Sequence, residues 1–224
     1  MKLSVTTIIP TKNEAKTIGE VITGVKKFSN EVIVVDGNSQ DDTRAIAQSL
    51  GAKVLLDPTK GKGLALRYAA QYATSDVIIF IDADGSHETK DIPKLLKPLQ
   101  EDKADLVVAS RMLGGSDELH GDFSNFLRLL GTSLIVLAIN YRWNVRLTDV
   151  ENGFRAIRRN VFSRLKLKSK SFDIEEEMVI KCLRYKFRVS EVPSHEYRRR
   201  YGISGISLIK SGHKFIWRLL VNYF

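Results

Sequence analysis

The chain has 224 residues, 43% of them hydrophobic and 27% charged, with a formal net charge of +9, the composition of a folded domain with one full core. Its single cysteine, Cys182, excludes an internal disulfide and a cysteine-based zinc cluster, and no apolar run reaches the roughly 20 residues a membrane span needs. The basic balance points to an anionic partner: nucleic acid, nucleotide phosphates or an acidic membrane surface.

Short apolar runs at 5–9, 32–35, 54–56, 77–81 and 106–109 alternate with helix-like stretches at 14–27, 41–50, 63–72 and 92–101. Such alternation predicts a mostly parallel sheet covered on both faces. Thr11 with Glu14, and Ser39 with Asp42, have the spacing of capping boxes at two helix starts. Beyond residue 110 the pattern is less regular. A strongly apolar helix is expected at 125–140, another helix at 171–185, and a strand at 188–192 that Pro193 ends. Cys182, near Ile180 and Leu183, reads as a small core hydrophobe and fits a reducing compartment. The N-terminus reads as a strand rather than a signal peptide. With no repeat, low-complexity tract or linker, residues 1–205 read as one continuous domain and 206–224 as a C-terminal amphipathic helix. In that helix Ile206, Ile209, Ile216, Leu219, Leu220 and Tyr223 recur at near-helical spacing, and Lys210, Lys214 and Arg218 follow at four-residue intervals. The pattern suits a helix lying on an anionic membrane and equally one packed on the domain's own core.

The segment Asp82-Ala83-Asp84-Gly85-Ser86-His87 follows the apolar run 77–81. Acids there project from the carboxyl edge of a sheet, where open α/β folds bind ligands. Two hard oxygen donors suit Mg²⁺ or Mn²⁺; an acidic β-turn is the plainer alternative. The first run leads into Pro10-Thr11-Lys12-Asn13-Glu14 and the second into Asp36-Gly37-Asn38-Ser39. Three acid-bearing strand ends on one edge exceed what helix caps explain.

The series Ile9-Pro10-Thr11-Lys12-Asn13-Glu14, Val34-Val35-Asp36 with Ser39, Asp41 and Thr43, Lys60-Gly61-Lys62-Gly63, and Asp82 to His87 resembles the inverting family 2 glycosyltransferases. Within them it is most similar to the polyprenol-phosphate (dolichol-phosphate) mannosyl- and glucosyltransferases. Further matches are Ala109-Ser110-Arg111, Asn152-Gly153-Phe154-Arg155, Glu175-Glu176-Glu177-Met178 and Glu191-Val192-Pro193 before Arg198–Arg200, so the resemblance runs from about residue 4 to 208. It implies an α/β fold of the GT-A type: a Rossmann-like, nucleotide-diphospho-sugar transferase fold with a mostly parallel mixed sheet flanked by helices.

On the donor side the resemblance implies that Pro10, Glu14 and Asp36 hold the nucleoside and that Asp82 lies by the ribose and diphosphate. Asp84 is then the principal metal ligand, with Ser86 where some relatives carry a Gln that touches the metal. Lys60 and Lys62 flank a Gly-rich turn suited to phosphate, or are solvated loop lysines. Arg200, within the triple Arg198-Arg199-Arg200, closes on the donor diphosphate. On the acceptor side Arg111 and Arg128, with Thr132 one turn on, grip a lipid phosphate; for Arg128 a snorkelling surface residue is the alternative. Glu175 or Glu177 approaches the acceptor or Arg200, unless these acids only complement a helix N-terminus. His87 suits a hydrogen bond better than metal ligation.

The implied activity is transfer of a hexose, mannose from GDP-mannose, to a polyprenyl or dolichyl phosphate with Mg²⁺ or Mn²⁺. The implied location is cytoplasmic, peripheral on the inner face of the membrane. The alternatives are a UDP-glucose or UDP-GlcNAc enzyme with a hydroxyl acceptor and Glu175 or Glu177 as general base, and a non-catalytic nucleotide-sugar-binding protein. A nucleic-acid partner is disfavoured, because the acids at the sheet edge would repel a phosphate backbone.

Overall fold

The computed structural model describes residues 3–117, 123–201 and 208–223, with backbone alone over 123–128 and 208–213. A seven-stranded sheet has the order β3-β2-β1-β4-β6-β5-β7. Its strands are β1 Val5–Thr11, β2 Glu31–Asp36, β3 Lys53–Leu56, β4 Val77–Phe80, β5 Leu106–Ser110, β6 Arg155–Arg158 and β7 Val189–Pro193. β6 runs antiparallel to both β4 and β5; the other pairings are parallel. The helices are α1 Ile18–Lys26, α2 Thr43–Ser49, α3 Lys62–Ala70, α4 Ile92–Gln100, α5 Arg111–Gly114, α6 Phe123–Trp143, α7 Arg159–Leu165, α8 Ile174–Arg184 and α9 Leu208–Tyr223.

The parallel strands are legible as apolar runs because both of their faces are buried. Ile78 and Phe80 of β4 join Ala65 and Leu66 of α3 and Met178 of α8, whereas Val77 and Ile79 join the opposite layer with Ile22 of α1 and Leu95 of α4. Helix α4 is amphipathic, with Ile92, Leu95, Leu96 and Leu99 buried at helical spacing. Helix α8 is buried all round, its three consecutive glutamates included. Cys182 lies in the core as expected, and burial pushes its thiol up.

Three departures from the sequence reading bear on the site. Neither capping box forms: α1 starts at Ile18 after Thr17, α2 at Thr43 after Asp42, and neither cap residue makes a side-chain cap bond. Glu14 is left to line the cleft, and Ser39 is buried beneath it against Asp36. Strand β6 escaped the apolar pattern because Arg155 and Arg158 bracket only Ala156 and Ile157. Arg155 is nevertheless fully buried, its guanidinium donating to the carbonyls of Asn152, Val150 and Glu175. Helix α9 turns Phe215 and Leu219 to the core, and Arg218 Nε donates to Asp173 at 2.7 Å. Part of the basic stripe expected at 210–218 is therefore spent inside the fold. Among the described residues no helix is long and apolar enough to cross a membrane.

Candidate active site

The sheet register brings the polar strand ends together. Thr11 pairs with Asp36 across β1 and β2, and β4 ends one residue before Ile81-Asp82. These carboxyl ends open on a cleft of about 1150 Å³ whose lining includes Pro10, Glu14, Asp36, Lys60, Lys62, Asp82, Asp84, Ser86, Arg198 and Arg199.

Two left-handed asparagines, Asn13 at φ 56° and Asn38 at φ 62°, shape the floor. The Asn13 N–H donates to Ser39 Oγ at 2.8 Å, and Gln40 N–H donates to Asn13 Oδ1 at 2.8 Å, joining the loops after β1 and β2. Ser39 donates both its hydroxyl and its N–H to Asp36. Asp36 is thus fully buried, with the Arg44 guanidinium 3.4 Å away.

In the centre, Lys62 Nζ bridges Asp82 at 2.6 Å and Glu175 at 3.0 Å. Burial alone would raise the Asp82 carboxyl, but the Lys62 ammonium and His87 hold it well below the usual carboxylate range. Burial likewise opposes the charge on Lys62, and Asp82 and Glu175 outweigh it. The pair therefore stays ionised. Gly153 explains why the Asn152–Arg155 segment comes so close: a Cβ there would lie 2.6 Å from Asp82 Oδ2 and 3.0 Å from Lys62 Nζ. His87 is buried against the Phe154 ring, its Nε2 at 3.9 Å from Asp82.

Asp84 differs from Asp82. Its Oδ1 accepts the Ser86 N–H at 3.1 Å and the Ser86 hydroxyl at 2.7 Å, so Ser86 orients the carboxylate. Its Oδ2 lies 3.5 Å from Arg199 Nη1, and the same guanidinium pairs with Glu14. Burial raises the Glu14 carboxyl above its ordinary value, against the pull of Arg199. An oriented carboxylate with a hard oxygen turned to a cleft fits a Mg²⁺ or Mn²⁺ ion that takes its other ligands from phosphate and water. Of the three consecutive arginines, Arg198 and Arg199 line the cleft; Arg200, expected there, pairs with Glu20 at 2.7 Å on an exposed flank. The segment carrying them crosses the site, with Tyr197 N–H donating to the Ser86 carbonyl at 2.8 Å.

Of the residues expected to meet an acceptor, Arg111 is buried and gives Nε and Nη2 to Asp149 at 2.6 and 2.9 Å, and its Nη1 lies 3.6 Å from Glu196. Burial opposes ionisation of Asp149, and the Arg111 charge overrides it, holding the carboxyl low. Thr132 donates to Glu151 at 2.9 Å. The side chain of Arg128 lies outside the described residues. Glu177 is not brought to the cleft. It accepts the N–H groups of Lys168 and Ser169 and pairs with Lys181 at 3.0 Å, which fixes the 168–170 turn against Gly61 and Gly63. Asp149 was missed from sequence, its only signal being a buried arginine in need of a partner.

This sheet order and polar edge define a GT-A nucleotide-diphospho-sugar transferase fold. The profile of glycosyl transferase family 2 matches residues 6–166, and the chain belongs to that family. It is 34% identical over 198 residues to glycosyltransferase AglJ of Haloferax volcanii, covering 87% of this chain and 63% of that protein. It thus spans under two thirds of that relative's length. It is 33% identical to the undecaprenyl-phosphate mannosyltransferase of Micrococcus luteus, over 92% of this chain and 88% of the relative. In structure it resembles glucosyl-3-phosphoglycerate synthase of Mycobacterium tuberculosis, in complex with Mn²⁺, uridine diphosphate and glucosyl-3-phosphoglycerate. The TM-score is 0.76 at 20% identity, over 98% of this chain and 80% of that one.

Proposed function

We propose that this family 2 glycosyltransferase moves a hexose, mannose from GDP-mannose, onto the phosphate of a polyprenyl or dolichyl lipid at the inner membrane face. The relative named undecaprenyl-phosphate mannosyltransferase supports that acceptor class. The observation that carries the reading is the Asp84 carboxylate, fixed by Ser86 on one oxygen and facing Arg199 with the other. It supports a cation held at Asp84, with the Arg199 guanidinium beside it for phosphate.

Pro10, Glu14 and the Asp36 floor hold the nucleoside, and Arg198 and Arg199 bind the diphosphate. Lys62 keeps Asp82 ionised beside them. Asp84 would hold Mg²⁺ or Mn²⁺, which would supply charge neutralisation to the departing diphosphate; the Mn²⁺ bound by the mycobacterial structural neighbour supports this choice. Arg111, fixed by Asp149, keeps Nη1 for the acceptor phosphate once Glu196 yields. A phosphate monoester, with its second pKa about 6, is largely dianionic at neutral pH and needs no general base. The carboxylates support a phosphate acceptor over a hydroxyl one: Glu175 is paired with Lys62 and Glu177 with backbone N–H groups, so neither stands ready as a base.

The test is transfer of labelled hexose from GDP-mannose, UDP-glucose and UDP-GlcNAc, with Mn²⁺, to a polyprenyl phosphate. Label entering the organic phase as a phosphodiester is the expected result. Transfer to a sugar hydroxyl only, or nucleotide-sugar binding with no turnover, would overturn it.

A further inference from the structure

We infer that the outward faces of α6 and α9 together form a docking surface for an anionic lipid bilayer. The inference rests on the lipid-phosphate reading of the site and deepens it by naming where the protein meets the membrane. Both helices pack over α8 and against each other; the Trp143 and Tyr223 rings meet edge-on at 5.8 Å, and Arg142 Nε donates to the Tyr223 carbonyl at 3.2 Å. Each buries one apolar side and turns a second to solvent.

On α6, Ile135, Val136 and Ile139 face the core, while Leu130, Leu134, Leu137 and Tyr141 form an exposed stripe at helical spacing. On α9, Phe215 and Leu219 face the core, while Ile216, Trp217, Leu220 and Val221 are exposed. Leu137 at 64% and Trp217 at 65% exposure are large apolar side chains left in water. Two neighbouring helices with such stripes exceed the scattered apolar residues of an ordinary surface.

Charge selects the occupant. The sequences of α6 and α9 contain no aspartate or glutamate and carry Arg128, Arg142, Lys210, Lys214 and Arg218. Arg142 and Lys214 are exposed, as is Arg146 just beyond α6. Basic residues edging an apolar face complement anionic headgroups, and Tyr141 and Trp217 have the amphipathic rings suited to that interface. A second copy of the chain would instead set two acid-free, basic-edged faces against each other.

The full chain is sedimented with phosphatidylglycerol/phosphatidylcholine vesicles at low salt, and quenching of Trp217 by brominated lipid is read in a Trp143→Phe background. Binding that needs the anionic lipid, with quenching, is expected. Leu134→Glu with Leu137→Glu, and separately Ile216→Glu with Leu220→Glu, should each lower partitioning about tenfold or more. Far-UV circular dichroism and nucleoside-diphosphate binding should be unchanged. A native chain that stays in the supernatant, or a dimer in sedimentation velocity that the same substitutions dissolve, overturns the surface. Transfer to a water-soluble, short-chain polyprenyl phosphate by a protein that ignores vesicles rejects the surface and keeps the enzymatic reading. Vesicle binding without any transfer keeps the surface and rejects that reading.

Discussion

Asp82 and Asp84 sit one residue apart and do different work. Both line the cleft, Asp82 held by the Lys62 ammonium and Asp84 oriented by the Ser86 hydroxyl and N–H. Asp84→Ala should therefore lower metal-dependent turnover by about 10²–10³-fold, with the circular dichroism spectrum retained. Arg199 and Arg200 separate in the same way. Arg199→Ala should weaken nucleoside-diphosphate binding about tenfold or more in calorimetric titration, in line with the loss of a charge-assisted contact. Arg200→Ala should change it little, because its exposed partner Glu20 forms only a surface pair. The motifs marked which residues reach this edge, but not which way each one faces. Spacing along an irregular segment fixes no direction, so the triple arginine alone did not show that Arg198 and Arg199, rather than Arg200, line the cleft. The capping-box spacings misled for a related reason: Ser39 bonds to Asp36 sooner than to a helix N-terminus.

The segment from Thr148 to Phe154 is held by buried polar groups rather than by regular structure. Asp149 clamps Arg111, Glu191 accepts the N–H groups of Thr148 and Asp149, and Asn152 bonds the Ala109 carbonyl. Arg155 closes the set by binding three carbonyls. Arg155→Met would leave those carbonyls unpaired and should destabilise the fold by about 2–5 kcal/mol, read in chemical denaturation; a stability within error of the native chain would show that the clamp is dispensable. Strands β1, β2 and β4 were legible because burial on both faces leaves apolar runs. Strand β6 was not, because its longest buried side chain is an arginine whose partners are backbone carbonyls, and no sequence pattern marks those.

Charge distribution over the molecule makes a further prediction. Glu176 of α8 is fully buried, and neither of its oxygens meets a hydrogen-bond partner among the described residues. Burial, with Glu151, Asp173 and Glu177 nearby and Arg218 opposing them, pushes its carboxyl from 4.5 up to about 9. The folded chain then keeps a proton that the unfolded chain releases, so this group's stability contribution is full below pH 4.5 and lost as pH rises toward 9. The loss can reach about 1.4 kcal/mol per pH unit. Glu176→Gln should flatten the fall of the melting temperature between pH 5 and 8; an unchanged slope would place the titration elsewhere. The first half of the fold, its polar edge and helices α6, α8 and α9 as elements were thus readable from runs and motifs, while the burial of three consecutive acids on α8 and the inward turn of Arg218 to Asp173 were not. The nucleotide-sugar reading of the edge stands or falls on one titration: nucleoside diphosphate against the native chain and Asp84→Asn, with and without Mn²⁺. Affinity should rise about tenfold or more with Mn²⁺ in the native chain and lose that gain in the variant. Equal affinity with and without the metal, or a gain that survives in Asp84→Asn, would contradict it.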